Sequence, residues 1–133
     1  MTGTPTVLFV CPHNANRSQI AAGYLQHLAG DRVKVLSAGP EPSDALNPAA
    51  VEAMAEEGIR IDAAVPALLT PETVDSADVV ITLGCPDTVA VAPGRRHEDW
   101  KLEAPPGQGL DAARSIRDQI KRRVQDLASE LSV

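Results

Sequence analysis

The residues most able to do chemistry lie near the start of the chain, in Cys11-Pro-His-Asn-Ala-Asn-Arg17-Ser18. A thiol is a weak nucleophile until it ionises, and the N-terminus of a helix favours the thiolate. An apolar run, Thr6-Val-Leu-Phe-Val10, precedes Cys11, and a helical pattern begins at Ser18. The loop from 11 to 17 therefore joins a strand end to a helix start. Its backbone N–H groups and the positive helix end surround the sulfur and suit a tetrahedral oxyanion equally well. Pro12, His13, Asn14, Ala15, Asn16 and Arg17 are the expected oxyanion-binding residues, with Arg17 placed to grip two oxygens through its guanidinium fork. Ser18 is expected to donate its hydroxyl to the Cys11 sulfur or to cap the helix. Asn14 tolerates a left-handed backbone and can bond across the loop to hold it open. His13 either tunes the thiolate or lines the entrance. The competing reading of Cys11 is a small buried hydrophobe at a strand end.

Positioning such a loop needs a rigid sheet. Apolar runs alternate with helical periodicity, without repeats or linkers, along 133 residues, so one domain spanning 1–133 is expected. Arg32 to Ser37 reads as a second strand, Asp78 to Leu83 as a third, and part of Arg95 to Trp100 as a fourth. Helices are expected from Ser18 to Ala29, from Asn47-Pro48 to about Glu57, and over Pro71 to Ser76. A last helix places Ala113, Ile116, Ile120, Val124, Leu127 and Leu131 on one face. Its basic residues alternate with Asp118, Asp126 and Glu130, which reads as a solvated face. Strand–helix alternation implies an α/β fold, a four-stranded parallel sheet between two layers of helices. Ligands of such sheets bind at the carboxyl ends of the strands where their order reverses. Cys11 follows the first strand and Cys85 lies two residues past the third.

Composition narrows the ligand. Hydrophobic residues make up 44% of the chain and charged ones 23%, an ordinary globular balance. The net charge of −6 argues against nucleic acid, so an anion must be held locally by amides and one Arg. Aromatics are 2%, too few for a stacking platform. No apolar run is long enough to cross a membrane and no secretory signal is legible, so a cytoplasmic protein is expected. Two cysteines do not make a disulfide scaffold. Cys11, His13, His27, Cys85 and His97 lack zinc-type spacing, so no metal is expected.

With those residues in view, the chain resembles the low-molecular-weight phosphotyrosine phosphatase superfamily, in particular its arsenate reductase branch. The resemblance runs through Cys11 to Ser18, Gln19-Ile-Ala-Ala-Gly23, Ser37-Ala-Gly39, Asn47-Pro48, Val80-Ile-Thr-Leu-Gly-Cys85, Pro93-Gly94, Glu98-Asp-Trp100 and Ile116-Arg-Asp118. It implies that the Cys11 thiolate attacks arsenate, assisted by Arg17 and Ser18, and that a second thiol then attacks Cys11 to release arsenite. That thiol is Cys85, or an external small thiol. No bound cofactor is implied. The reductant is thioredoxin, or mycothiol or glutathione with a glutaredoxin-like protein, and a monomer is expected to suffice.

Two positions depart from the family pattern. Val89 stands where three-cysteine members carry a third thiol. Ala104 stands where the family's general acid, an Asp before Pro, is expected, which leaves Glu103 and Asp99 as candidate acids. The resemblance also admits a phosphomonoester hydrolase acting on phosphotyrosine, and a non-catalytic oxyanion-binding or redox-sensing domain.

Overall fold

A computed structural model describes residues 4–85, 96–103 and 109–131. Four strands, β1 (Thr6–Val10), β2 (Lys34–Ala38), β3 (Val79–Thr82) and β4 (Arg96–Asp99), form one parallel sheet in the order β2-β1-β3-β4. The helices are α1 (Arg17–Ala29), α2 (Pro48–Glu56), α3 (Pro71–Ser76) and α4 (Leu110–Glu130). Among the described residues no helix is long and apolar enough to cross a membrane.

Burial of both sheet faces explains the near-continuous apolar runs in β1 and β3. Val7, Phe9, Val79 and Ile81 point to one face, where they meet Ile20, Tyr24 and Leu25 of α1 and Ile116, Ile120 and Val124 of α4. Leu8, Val10 and Val80 point to the other and pack with Ala38, Val74 and Ala77. The sheet is thus sandwiched between helix layers, as the alternation requires. The chain steps from β1 outward to β2, then returns to the other side of β1 for β3. The strand order therefore reverses between β1 and β3, and the loops that follow those two strands flank one crevice.

Element ends shift where side chains intervene. The second strand starts at Lys34 rather than Arg32, because Arg32 closes a 3₁₀ turn over Gly30–Arg32. Its guanidinium donates to the Ala29 and Leu28 carbonyls at 3.1 and 2.8 Å, capping α1. Asn47 caps α2 as its type suggests, accepting the Ala49 N–H at 2.9 Å ahead of Pro48.

Polar ties fasten α2 and α1 to α4. Glu56 accepts from Arg114 and Arg117. The Arg114 guanidinium, and then that of Arg117, hold its carboxyl well below the usual range. Glu57 bridges Tyr24 and Lys121. Burial, together with the Glu57 carboxylate, raises the Tyr24 phenol well above its ordinary value. The basic face of α4 is therefore partly engaged with α2 rather than wholly solvated.

Candidate active site

The first residues after β1 leave the sheet in a tight loop, and α1 begins at Arg17, one residue earlier than its sequence pattern suggests. Neighbouring segments hold the loop by its carbonyls. Pro12 O accepts from Glu41 N at 3.0 Å, His13 O from Ser43 N at 3.0 Å, and Ala15 O from Asn47 N at 2.9 Å. Asn16 O accepts the Ile20 N–H at 2.9 Å as the first helical bond. With the carbonyls drawn outward, the amides are left for the concave side. Pro12 has no N–H, so the donors are the amides of residues 13 to 17 rather than 12 to 17. Such a run of amides at a helix start forms an anion-binding nest.

Cys11 is 4% exposed at the base of this loop. Its sulfur lies 2.9 Å from Ser18 Oγ and accepts the Ser18 N–H at 3.4 Å. Asn14 Nδ2, which can only donate, gives its hydrogen to Ser18 Oγ at 2.7 Å. The Ser18 hydroxyl is an acceptor in that bond, so its own proton is free to point at sulfur. Ser18 thus faces the Cys11 sulfur, and α1 has no side-chain cap.

Asn14 adopts φ of +50° and is fully buried. Its Oδ1 accepts from Gln19 Nε2 at 3.1 Å and from Ala67 N at 2.8 Å, and Gln19 also donates to the Asn14 carbonyl at 3.0 Å. This side chain locks the loop to α1 and to the segment before α3. Gly39 closes the other side. A β-carbon there would overlap the Cys11 carbonyl oxygen and come within 2.8 Å of Pro12 O and 3.0 Å of Asn14 N. Backbone cannot yield cheaply, so Gly39→Ala is expected to displace the loop. It should lower turnover by about 10²-fold, the scale for a misplacement near 1 Å. Steady-state kinetics beside a thermal melt check this, and a variant with unchanged kcat/KM contradicts it.

Above the sulfur lies a cavity of about 790 Å³. Cys11, His13, Asn16 and Arg17 line one side, and Leu46 and Ile116 are among the apolar residues opposite. No aromatic side chain lines it among the described residues. Arg17 forms no ion pair among the described residues, and its Nη1 rests beside the Gly84 turn. His13 is exposed at the mouth, with its Nδ1 2.9 Å from the Glu41 carbonyl. A carbonyl can only accept, so Nδ1 donates in that contact.

Cys85 reaches the same strand end from the other face. Cys11 belongs to the apolar cluster under α1 and α4, whereas Cys85 packs against the cluster of Leu8, Val10 and Val80. Its thiol donates to the Val10 carbonyl at 3.5 Å, one residue from Cys11. Neither cysteine is in a disulfide.

The candidate acids do not join this group. Asp99 Oδ1 accepts from Thr82 Oγ1 and Gly84 N, and the exposed Glu103 has its backbone pinned by Gln119. Neither side chain is among the described cavity lining. Val89 and Ala104, where the chain departs from the family pattern, lie outside the described residues. The parts played by Gln19, Gly39 and Ala67 are not legible in the sequence alone. Gln19 directly follows the loop, but Gly39 and Ala67 gave no signal beyond a turn glycine and an ordinary alanine.

A strand–loop–helix nest around a sulfur, in a four-stranded parallel α/β/α sandwich, defines a class of cysteine-based oxyanion-handling proteins. The family model for low molecular weight phosphotyrosine protein phosphatases matches residues 6–133, and the chain belongs to that family. It is 34% identical over 129 residues to a putative arsenate reductase of Halobacterium salinarum, covering 93% of this chain and 91% of that one. It is 38% identical over 132 residues to the glutaredoxin arsenate reductase of a Synechocystis species, covering 95% and 98%. A thioredoxin-dependent arsenate reductase of Corynebacterium glutamicum superposes with a TM-score of 0.88 at 37% identity. That match covers 98% of this chain but 63% of the other, longer one. An arsenate reductase in its phosphate-binding state superposes at 0.83, with 37% identity and 96% and 98% coverage.

Proposed function

We propose that the protein is an arsenate reductase in which Cys11 is the nucleophile. The observation that carries this reading is a buried sulfur with two hydrogen bonds from Ser18, at the base of a nest of free amides closed by Arg17. Arsenate sits in the nest, its oxygens held by the amides of residues 13 to 17 and by the Arg17 fork. The Cys11 thiolate attacks arsenic, a sulfur–arsenic bond forms, and one arsenate oxygen leaves as water after taking up protons. A second thiolate then attacks the Cys11 sulfur. A sulfur–sulfur bond forms, the sulfur–arsenic bond breaks, and its electron pair reduces arsenic from the +5 to the +3 state. Two thiols supply the two electrons, so no bound cofactor takes part.

The second thiol is Cys85, or an external small thiol. Cys85 stands one residue from Cys11 along the strand end but on the opposite sheet face, so the chain beyond Gly84 must turn Cys85 toward Cys11 for the disulfide to form. A thioredoxin- or glutaredoxin-like partner then restores the thiols, which places the work in a reducing compartment such as the cytoplasm. The relatives named arsenate reductases, matched over almost the whole chain, support this reading. So does the cavity, whose described lining has room for a small oxyanion and no aromatic wall for an aryl ester.

Cys85→Ser separates the two routes. With thioredoxin as sole donor, turnover is expected to fall by at least about 10²-fold if Cys85 is the second thiol, since the chain keeps no second thiol of its own to attack Cys11. An unchanged rate in that assay removes Cys85 from the cycle and assigns the step to an external thiol. Rapid hydrolysis of an aryl phosphate with no arsenite from arsenate, under any donor, overturns the reductase reading itself.

A further inference from the structure

The turn that carries Cys85 is tied from behind by the last strand. Thr82 ends β3 fully buried, and its hydroxyl donates to Asp99 Oδ1 at 2.7 Å. The same oxygen accepts the Gly84 N–H at 3.2 Å. Gly84 has φ of +82°, and a β-carbon on it would lie 3.2 Å from Arg17 Nη1. One carboxylate oxygen therefore pins a turn whose flank backs the guanidinium and whose next residue is Cys85. The tie extends outward. His97 Nε2 lies 3.2 Å from Thr82 Oγ1. The single hydroxyl proton is committed to Asp99, so Thr82 accepts from His97, and the imidazole, hydroxyl and carboxylate line up in one direction. Asp99 Oδ2 is buried, with no hydrogen-bond partner among the described residues. The carboxylate is thus held in place through its other oxygen, Oδ1.

We propose that Asp99 is a positioning residue for the reaction proposed above. Through the Gly84 amide it sets both the backing of Arg17 and the point from which Cys85 approaches Cys11. It does not touch the reacting atoms. This inference rests on the reductase reading for its Cys85 arm, whereas its Arg17 arm concerns oxyanion binding alone.

Asp99→Ala and Asp99→Asn test it, with two readouts: affinity for inorganic phosphate, and the rate at which arsenate drives Cys11–Cys85 disulfide formation in one turnover. Asp99→Ala is expected to weaken phosphate binding about 10-fold and to slow the disulfide step by about 10- to 10²-fold, the scale of a displaced reacting group. Asp99→Asn keeps an oxygen that accepts from both Thr82 and Gly84, so both readouts should stay within about threefold of the parent. If Asp99→Asn is as impaired in the disulfide step as Asp99→Ala, and the pH profile loses a limb, Asp99 is a proton donor and the proposal is overturned. If Asp99→Ala matches the parent in both readouts, it is overturned as well. Should Asp99→Ala fail to fold, Thr82→Val removes one of the two ties at nearly constant volume. A loss of about threefold or more in either readout then supports the proposal, and parental values overturn it. A parent that forms no disulfide with arsenate counts against the reductase reading, and phosphate affinity still decides the Arg17 arm.

Discussion

Replacing Cys11 by serine is expected to reduce arsenate turnover to background, a fall of at least about 10⁴-fold, while inorganic phosphate still binds. A serine hydroxyl stays protonated near neutral pH and cannot pass through a disulfide, so both the attack and the two-electron step are lost. The proposed anion grip is made of other groups, the amides of residues 13 to 17 and the Arg17 guanidinium, and is expected to survive. Serine is also small enough for the site and keeps a polar atom facing Ser18 Oγ, which lies 2.9 Å from the sulfur. Arsenite release measured beside phosphate affinity checks both halves. A variant retaining more than about 1% of turnover would take Cys11 out of the chemistry.

The second large effect is expected at a residue that contacts no reacting atom. Asn14→Ala removes the acceptor used by Ala67 N and Gln19 Nε2 and the donor that orients Ser18 Oγ. Each buried group left unpaired costs about 1–3 kcal/mol. Alanine at φ of +50° adds about 1 kcal/mol, because it lacks the short polar side chain by which asparagine offsets the strain of that region. A stability loss of about 3 kcal/mol or more follows, read as a lower denaturation midpoint at unchanged slope. Turnover should fall further than stability explains, by about 10²-fold in folded protein, because the Ser18 proton loses its reason to face sulfur and the loop its left-handed corner. A destabilised variant with full kcat/KM would make this network structural only.

The Cys11 loop is legible in the sequence because its logic is local. Strand, thiol, amides and helix start follow one another within a dozen residues, and Asn14 showed its left-handed backbone by type alone. The parallel sheet with helices on both faces was legible for a related reason, since runs such as Thr6–Val10 need no partner to announce burial on both sides. What stayed hidden is made of contacts between distant segments. The carbonyls of residues 12, 13 and 15 find donors at 41, 43 and 47, and the Asn14 side chain finds one at 67. Gly39 reads as a turn residue, yet the space it leaves is filled by the loop backbone. Arg32 carries strand-compatible neighbours but spends its side chain on the end of α1, which moves the strand start to Lys34. Asp99 likewise presents itself as a spare carboxylate near the site, and only the register of β4 against β3 shows it facing Thr82.

The central claim is that sulfur reduces the oxyanion rather than hydrolysing an ester of it. The direct measurement incubates fully reduced protein with arsenate, counts arsenite released and thiols consumed, and locates the oxidised cysteines by mass spectrometry. The expected result is one arsenite for every two thiols lost, with Cys11 in the disulfide, joined either to Cys85 or to an added small thiol. No arsenite with any thiol donor, Cys11 still reduced, and brisk release of phosphate from an aryl phosphate would contradict it.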